Sequence, residues 1–164
     1  MSVEAKQAKQ VIIDEIKEKL DGAKSAVVID YMGITVAEAD AMRKKLREAN
    51  VDYTVYKNTL VKRAIEGTEF ESLKDSLEGP SGVAISKEDA TAPARVLNEV
   101  IKGINKMSFK AGIVEGEFYD AESIKAVANI PSRDVLIAKF MGSIQSPISK
   151  AVRTFQAIAD AKAE

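Results

Sequence analysis

Apolar positions recur along the chain with two periods, and the alternation between them sets out the elements. Residues 3–20 place Ile12, Ile13, Ile16 and Leu20 on one side at helical spacing, and Asp21-Gly22 closes the segment. Ala26 to Ile29 is a short apolar run rich in β-branched residues and predicts a buried strand. Thr35 followed by Glu38 is a capping box; Ala39, Met42, Leu46 and Ala49 then repeat with helical period to a stop at Asn50. Val51, Tyr53 and Val55 alternate with Asp52, Thr54 and Tyr56 as a second strand. Asn58 is placed to cap a third helix through Leu60, Val61, Ala64 and Ile65, ending at Gly67. Gly79 to Gly82 reads as a turn and Val83 to Ile85 as a strand. Pro93 suits the first turn of a helix whose apolar face is Val96, Leu97, Val100, Ile101 and Ile104. Phe109 to Val114 and Glu117 to Tyr119 read as strand, turn and short strand, and Asp120 as the cap of a short helix through Ile124 and Val127. Strands separated by helices imply crossovers. The expected fold is an α/β (α+β-like) sandwich over residues 1–131, with a mixed sheet covered by helices.

After Ile130-Pro131 the pattern changes. Ser132 is a good N-cap, and from there to residue 164 the helix breakers are Gly142 and Pro147. Leu136, Ile137, Phe140, Met141 and Ile144 form one apolar stripe, and Ile148, Val152, Phe155, Ile158 and Ala159 another. Pro131 and Pro147 are the expected hinges, since an interior proline removes a backbone hydrogen bond and usually bends the helix. A helix over 132–164 is roughly 50 Å long at 1.5 Å per residue, more than the preceding residues easily cover. Three readings fit the stripe: folding back on the core, a homodimeric coiled coil, or a spine with two consecutive segments that dock helical partners. Unequal steps across the proline weaken the coiled coil.

Composition narrows the chemistry. The 164 residues contain no histidine and no cysteine, which removes the commonest general base, the thiolate nucleophile, Cys/His zinc sites and disulfides. An aromatic content of 5% leaves little to line a ligand pocket. Catalysis is therefore the weaker expectation, with no catalytic residue, metal or cofactor assigned. The longest apolar runs, such as Ala26 to Ile29, are four residues, which fits a cytoplasmic protein without membrane contact. The net charge of −1 hides a basic stretch: Arg43, Lys44, Lys45, Arg47, Lys57, Lys62 and Arg63 stand against Glu48 and Asp52. It fits docking on a polyanion from one side, although composition alone favours the simpler reading of a solvated, lysine-rich helix face.

Among local motifs, VVIDYMGIT (27–35) resembles the nucleophile strand of haloacid-dehalogenase phosphotransferases. Met32 stands where the second acid is required, so Asp30 reads as a turn residue. Two loops that follow predicted strands carry more weight: Tyr31 to Thr35, and Tyr56 to Thr59. Each feeds a helix N-terminus whose free N–H groups suit phosphate. Lys62 and Arg63 lie one turn beyond the second loop, and Tyr31 is placed to stack on a base.

The fragments DYMGIT (30–35), VYKNTLVKRA (55–64), EGPSGVAIS (78–86), APARVLN (92–98), FKAGIVEGE (109–117) and IPSRDVL (130–136), followed by an alanine-rich helix, occur in an order that resembles the bacterial ribosomal stalk-base family, number ten of the large subunit. Met32 departs from the arginine usual in that family's first motif. The resemblance implies an N-terminal domain seated on large-subunit ribosomal RNA beside the eleventh large-subunit protein. It makes Tyr31, Gly33, Thr35, Lys57, Asn58, Thr59, Lys62 and Arg63, and more weakly Lys6 and Lys9, RNA-contact candidates. It also implies that residues 132–164 carry dimers of the acidic stalk protein, which recruit translational GTPases. Docking would use Leu136, Ile137, Phe140, Met141 and Ile144, then Ile148, Val152, Phe155 and Ile158, enough for two dimers. The alternative is a protein-only adaptor with a docking tail.

Overall fold

The computed structural model describes residues 3–104 and 106–163; the side chains at 3–6, 8, 148, 151, 157 and 159–163 are outside the description. Helix α1 (Val3–Leu20) leads into β1 (Ser25–Asp30), α2 (Val36–Glu48), β2 (Val51–Val55) and α3 (Asn58–Ile65). A 3₁₀ segment (Glu71–Ser76) precedes β3 (Gly82–Ser86), α4 (Ala92–Ile104), β4 (Ser108–Val114), β5 (Glu117–Asp120), α5 (Ser123–Val127) and α6 (Arg133–Ala163). The helix-covered α/β architecture matches the sequence pattern. The 3₁₀ segment was not legible in it, because Leu73 and Leu77 are too few to declare a period, although both are buried.

The strand order is β2-β3-β1-β4-β5, and all four pairings are antiparallel. The expected mixed pairing is thus corrected. Helix α2 does connect two strands that run the same way, β1 and β2, but β3 is inserted between them. Likewise α4 connects β3 and β4 around β1. Each crossover spans an intervening strand of opposite direction, the split β-α-β arrangement.

Both sheet faces are covered. Ala26 and Val28 of β1 pack with Ile13, Ile16, Leu60 and Ile65 beneath α1 and α3, while Val27 and Ile29 pack with Met42, Leu46 and Leu97 beneath α2 and α4. That double burial explains why β1 reads as an unbroken apolar run. Glycine fits where helix or ring comes closest: a Cβ on Gly112 would lie 2.2 Å from Ile124 Cδ1, and one on Gly82 would lie 2.3 Å from the Tyr53 hydroxyl.

The capping box of α2 is formed as expected, with the Glu38 N–H donating to Thr35 Oγ1 at 3.3 Å and the Thr35 N–H donating to Glu38 Oε2 at 2.7 Å. Two expected caps are not formed. Lys57, not Asn58, is the N-cap of α3 and no side chain closes that end; Asn58 is the first residue inside the helix, and its amide donates to Gly79 O at 2.7 Å. Asp120 ends β5, and α5 starts after Glu122.

Residues 1–130 and 131–164 are separate compact units, with Pro131 at their boundary. In the second unit α6 runs unbroken through Pro147. No helix among the described residues is long and apolar enough to cross a membrane.

Candidate nucleic-acid interface and helical docking face

Because β1 and β2 run in one direction, their C-terminal ends arrive together. The register places Ile29 and Val55 on either side of Gly82, and Asp30 opposite Ser108. The two loops singled out in the sequence, 31–35 and 56–59, therefore meet at one end of the sheet, two strand spacings or about 10 Å apart. The turn 78–81 and the start of β4 share that end.

Internal bonds fix these loops. Asp30 Oδ1 accepts from the Met32 N–H at 2.9 Å, turning the chain into Gly33, whose φ of +85° is the left-handed conformation that glycine adopts without strain. Lys110, whose side chain is only 17% exposed, reaches from β4 into the same corner. Its ammonium donates to Glu78 O, to Pro80 O at 2.6 Å and to Ser81 Oγ at 3.1 Å, and stands 3.9 Å from Asp30 Oδ2. Asn58 holds the same turn through Gly79 O. One chain of contacts, Asp30 to Lys110 to the 78–81 turn to Asn58, thus ties the two loops together. Asp30 is a structural anchor in it.

On the α1 side, Lys9, Lys57, Thr59 and Arg63 line a cleft of about 500 Å³ floored by Ile13 and Leu60. The open N-terminus of α3 lies at Lys57, so two backbone N–H groups and three cations gather there. Lys62 is half-buried on the neighbouring helical face that it shares with Asn58. Tyr56 is committed elsewhere: its hydroxyl donates to Glu15 at 3.0 Å and Lys19 Nζ lies 5.8 Å from its ring centroid. Burial opposes the Lys19 charge, but bonding to Asp52 and Tyr56 prevails and raises its pKa.

On the α2 side, Met32 and Gly33 are exposed, while Thr35 spends its hydroxyl on the capping box. The Thr35 N–H and hydroxyl hold the Glu38 carboxyl below its ordinary range. Tyr31 is half-buried and close enough to act on the Tyr53 hydroxyl, whose pKa burial pushes up to about 12. Lys6 lies outside the described side chains.

The single basic patch suggested by residues 43–63 is not formed. Arg43 and Arg47 line a different cleft, of about 610 Å³, beside the edge strand β2 with Lys19, Asp52, Lys87 and Glu88. Neighbours in sequence part here because α2 and α3 cover opposite faces of the sheet. Conversely, sequence reasoning missed Lys106 and Lys110, which strand order alone brings to the loops.

On α6, Leu136, Ile137, Phe140, Met141, Ile144, Val152, Phe155 and Ile158 are all exposed, Phe155 by 74%, and Val135 joins them. The Ile148 side chain lies outside the description. At 100° per residue Ile137, Met141, Ile144, Val152 and Phe155 fall on one side of the helix.

Residues 4–102 match the family described as ribosomal protein L10, and residues 130–164 match the ribosomal protein uL10 C-terminal region. The large ribosomal subunit protein uL10 of Bacillus licheniformis is 42% identical over 158 residues, 96% of this chain and 95% of the relative. Proteins of that name from Bacillus cereus and Bacillus anthracis show the same identity and coverage. With both the α/β unit and the C-terminal helix matched, the chain belongs to the ribosomal protein L10 (uL10) family.

Proposed function

We propose that this chain is a structural, non-enzymatic constituent of the large ribosomal subunit in the cytoplasm. Its residues 1–131 seat on large-subunit ribosomal RNA as the stalk base beside the eleventh large-subunit protein. Residues 132–164 are a spine that carries two dimers of the acidic stalk protein, which in turn recruit translational GTPases. The observation that carries the RNA reading is the convergence of two strand-end loops and a cleft bearing Lys9, Lys57 and Arg63 at one end of the sheet. Phosphates are met by cations and by the open α3 N-terminus, while Tyr31, Gly33, Thr35, Asn58, Thr59 and Lys62 shape or extend the surface. The spine reading rests on the exposed α6 stripe, which is wide enough to enter a partner's groove in two successive segments. Holding several mobile arms on one spine raises their local concentration without any chemical step.

Retention of a large-subunit ribosomal RNA transcript by the full chain, measured from low to high salt, tests the base. Binding is expected to weaken steeply with salt, and Lys57→Gln or Arg63→Gln to reduce the slope of log K against log salt by about one each. Absence of RNA binding would leave the protein-only adaptor.

A further inference from the structure

The loop 31–35 contains no lysine or arginine, yet it forms half of the proposed RNA-facing end. A cation reaches it from a distant part of the chain. Lys106 lies in the turn between α4 and β4, and because β4 pairs with β1 that turn stands beside Gly33. A methyl group on Gly33 would lie 3.9 Å from Lys106 Cδ, so the Lys106 side chain passes beside Gly33. Its ammonium also contributes to holding the Glu38 carboxyl ionised. Glu38, however, is already bonded by Thr35, at 2.7 Å from the N–H and 2.8 Å from the hydroxyl. Lys106 is exposed and takes part in no hydrogen bond or ion pair among the described residues. Lys110, four residues on, has the opposite disposition, enclosed by two carbonyls, a hydroxyl and a carboxylate. Of the two lysines at this corner, one is a staple and the other faces outward.

We propose that Lys106 supplies the phosphate-binding cation of the 31–35 loop, its stem passing beside Gly33 and its ammonium presented beside exposed Met32 to the RNA backbone. This rests on the RNA-base reading above and adds a contact that no motif around the loop contains. Glycine at 33 permits the left-handed turn at φ +85°, and a Cβ there would meet Lys106 Cδ only at ordinary contact distance, so the turn is what calls for glycine.

The test compares the full-length wild-type chain with Lys106→Gln, Lys102→Gln and Lys106→Gln/Met32→Lys, each bound to the large-subunit ribosomal RNA transcript across a salt series. Thermal melts confirm that each variant is folded. Lys106→Gln is expected to lower the salt slope by about one, Lys102→Gln on the exposed side of α4 to leave it unchanged, and the double variant to restore it by returning a cation to the lip of the loop. An unchanged slope in Lys106→Gln, or an equal fall in Lys102→Gln, overturns the assignment while the RNA-base reading stands. Wild-type binding that ignores salt overturns both.

Discussion

The two units treat the same kinds of side chain in opposite ways. In the α/β unit Phe109 is 4% exposed and Leu46 is fully buried, whereas on α6 Phe155 is 74% and Leu136 44% exposed. Of the fifteen exposed large apolar side chains among the described residues, nine lie on α6. The α/β unit buries its branched residues because a sheet covered on both faces gives every strand and helix an apolar partner. A single helix cannot bury its own stripe, and helices in water draw most of their stability from packing such a face. The apolar residues of the α/β unit therefore hold its fold, and those of α6 stand exposed, as the proposed docking of a partner requires.

Matched truncations break this comparison most directly. Leu46→Ala is expected to destabilise the chain by about 2–5 kcal/mol through the cavity it leaves, and Leu136→Ala by less than about 0.5 kcal/mol, in urea unfolding of the free protein. Equal losses would mean that the spine is packed in the free chain. A smaller effect separates holding the 31–35 and 56–59 loops from the proposed contact with RNA. Lys110→Met strands the carbonyls of Glu78 and Pro80, at about 1–3 kcal/mol, and is expected to weaken ribosomal RNA binding with the salt slope unchanged, since this ammonium faces protein. The smallest effect concerns acid. Burial works to raise the Asp89 pKa, but the Thr91 N–H and hydroxyl and Arg95 together hold it below its ordinary 3.8. Its stabilising share is complete above that value and is lost as pH falls through the lower folded value, so Asp89→Asn is expected to flatten the acid limb of a stability–pH curve recorded on the base's melting transition.

What could be read in the sequence follows from what is local. The α-helices and strands showed locally, in a period, an apolar run or a turn signal, whereas the 3₁₀ segment showed in none, and the Thr35–Glu38 box formed as its spacing demands. Strand pairing is not local: nothing between Asp30 and Val51 declares that β3, thirty residues later, will lie between β1 and β2. The same limit applies at the site. The 31–35 and 56–59 loops were visible because each ends a strand and starts a helix, but their meeting depends on the parallel sense of β1 and β2. Lys106 and Lys110 were invisible because only the β1–β4 pairing carries them there. The run of cations from Arg43 to Arg63 looked like one surface and divided between two, because charge counted along a chain ignores which face each helix covers. Asn58 fits the composition of a helix cap, yet the helix starts one residue earlier than that reading requires, with Lys57 as its N-cap, and the Asn58 amide donates across the corner to Gly79 O.

The measurement that bears most directly on this division between a packed base and an uncovered spine is the native mass of the full chain mixed with excess acidic stalk protein. The expected species holds one chain and four stalk subunits, two dimers on one spine. A chain that stays alone, or that pairs with a second copy of itself instead, would contradict it.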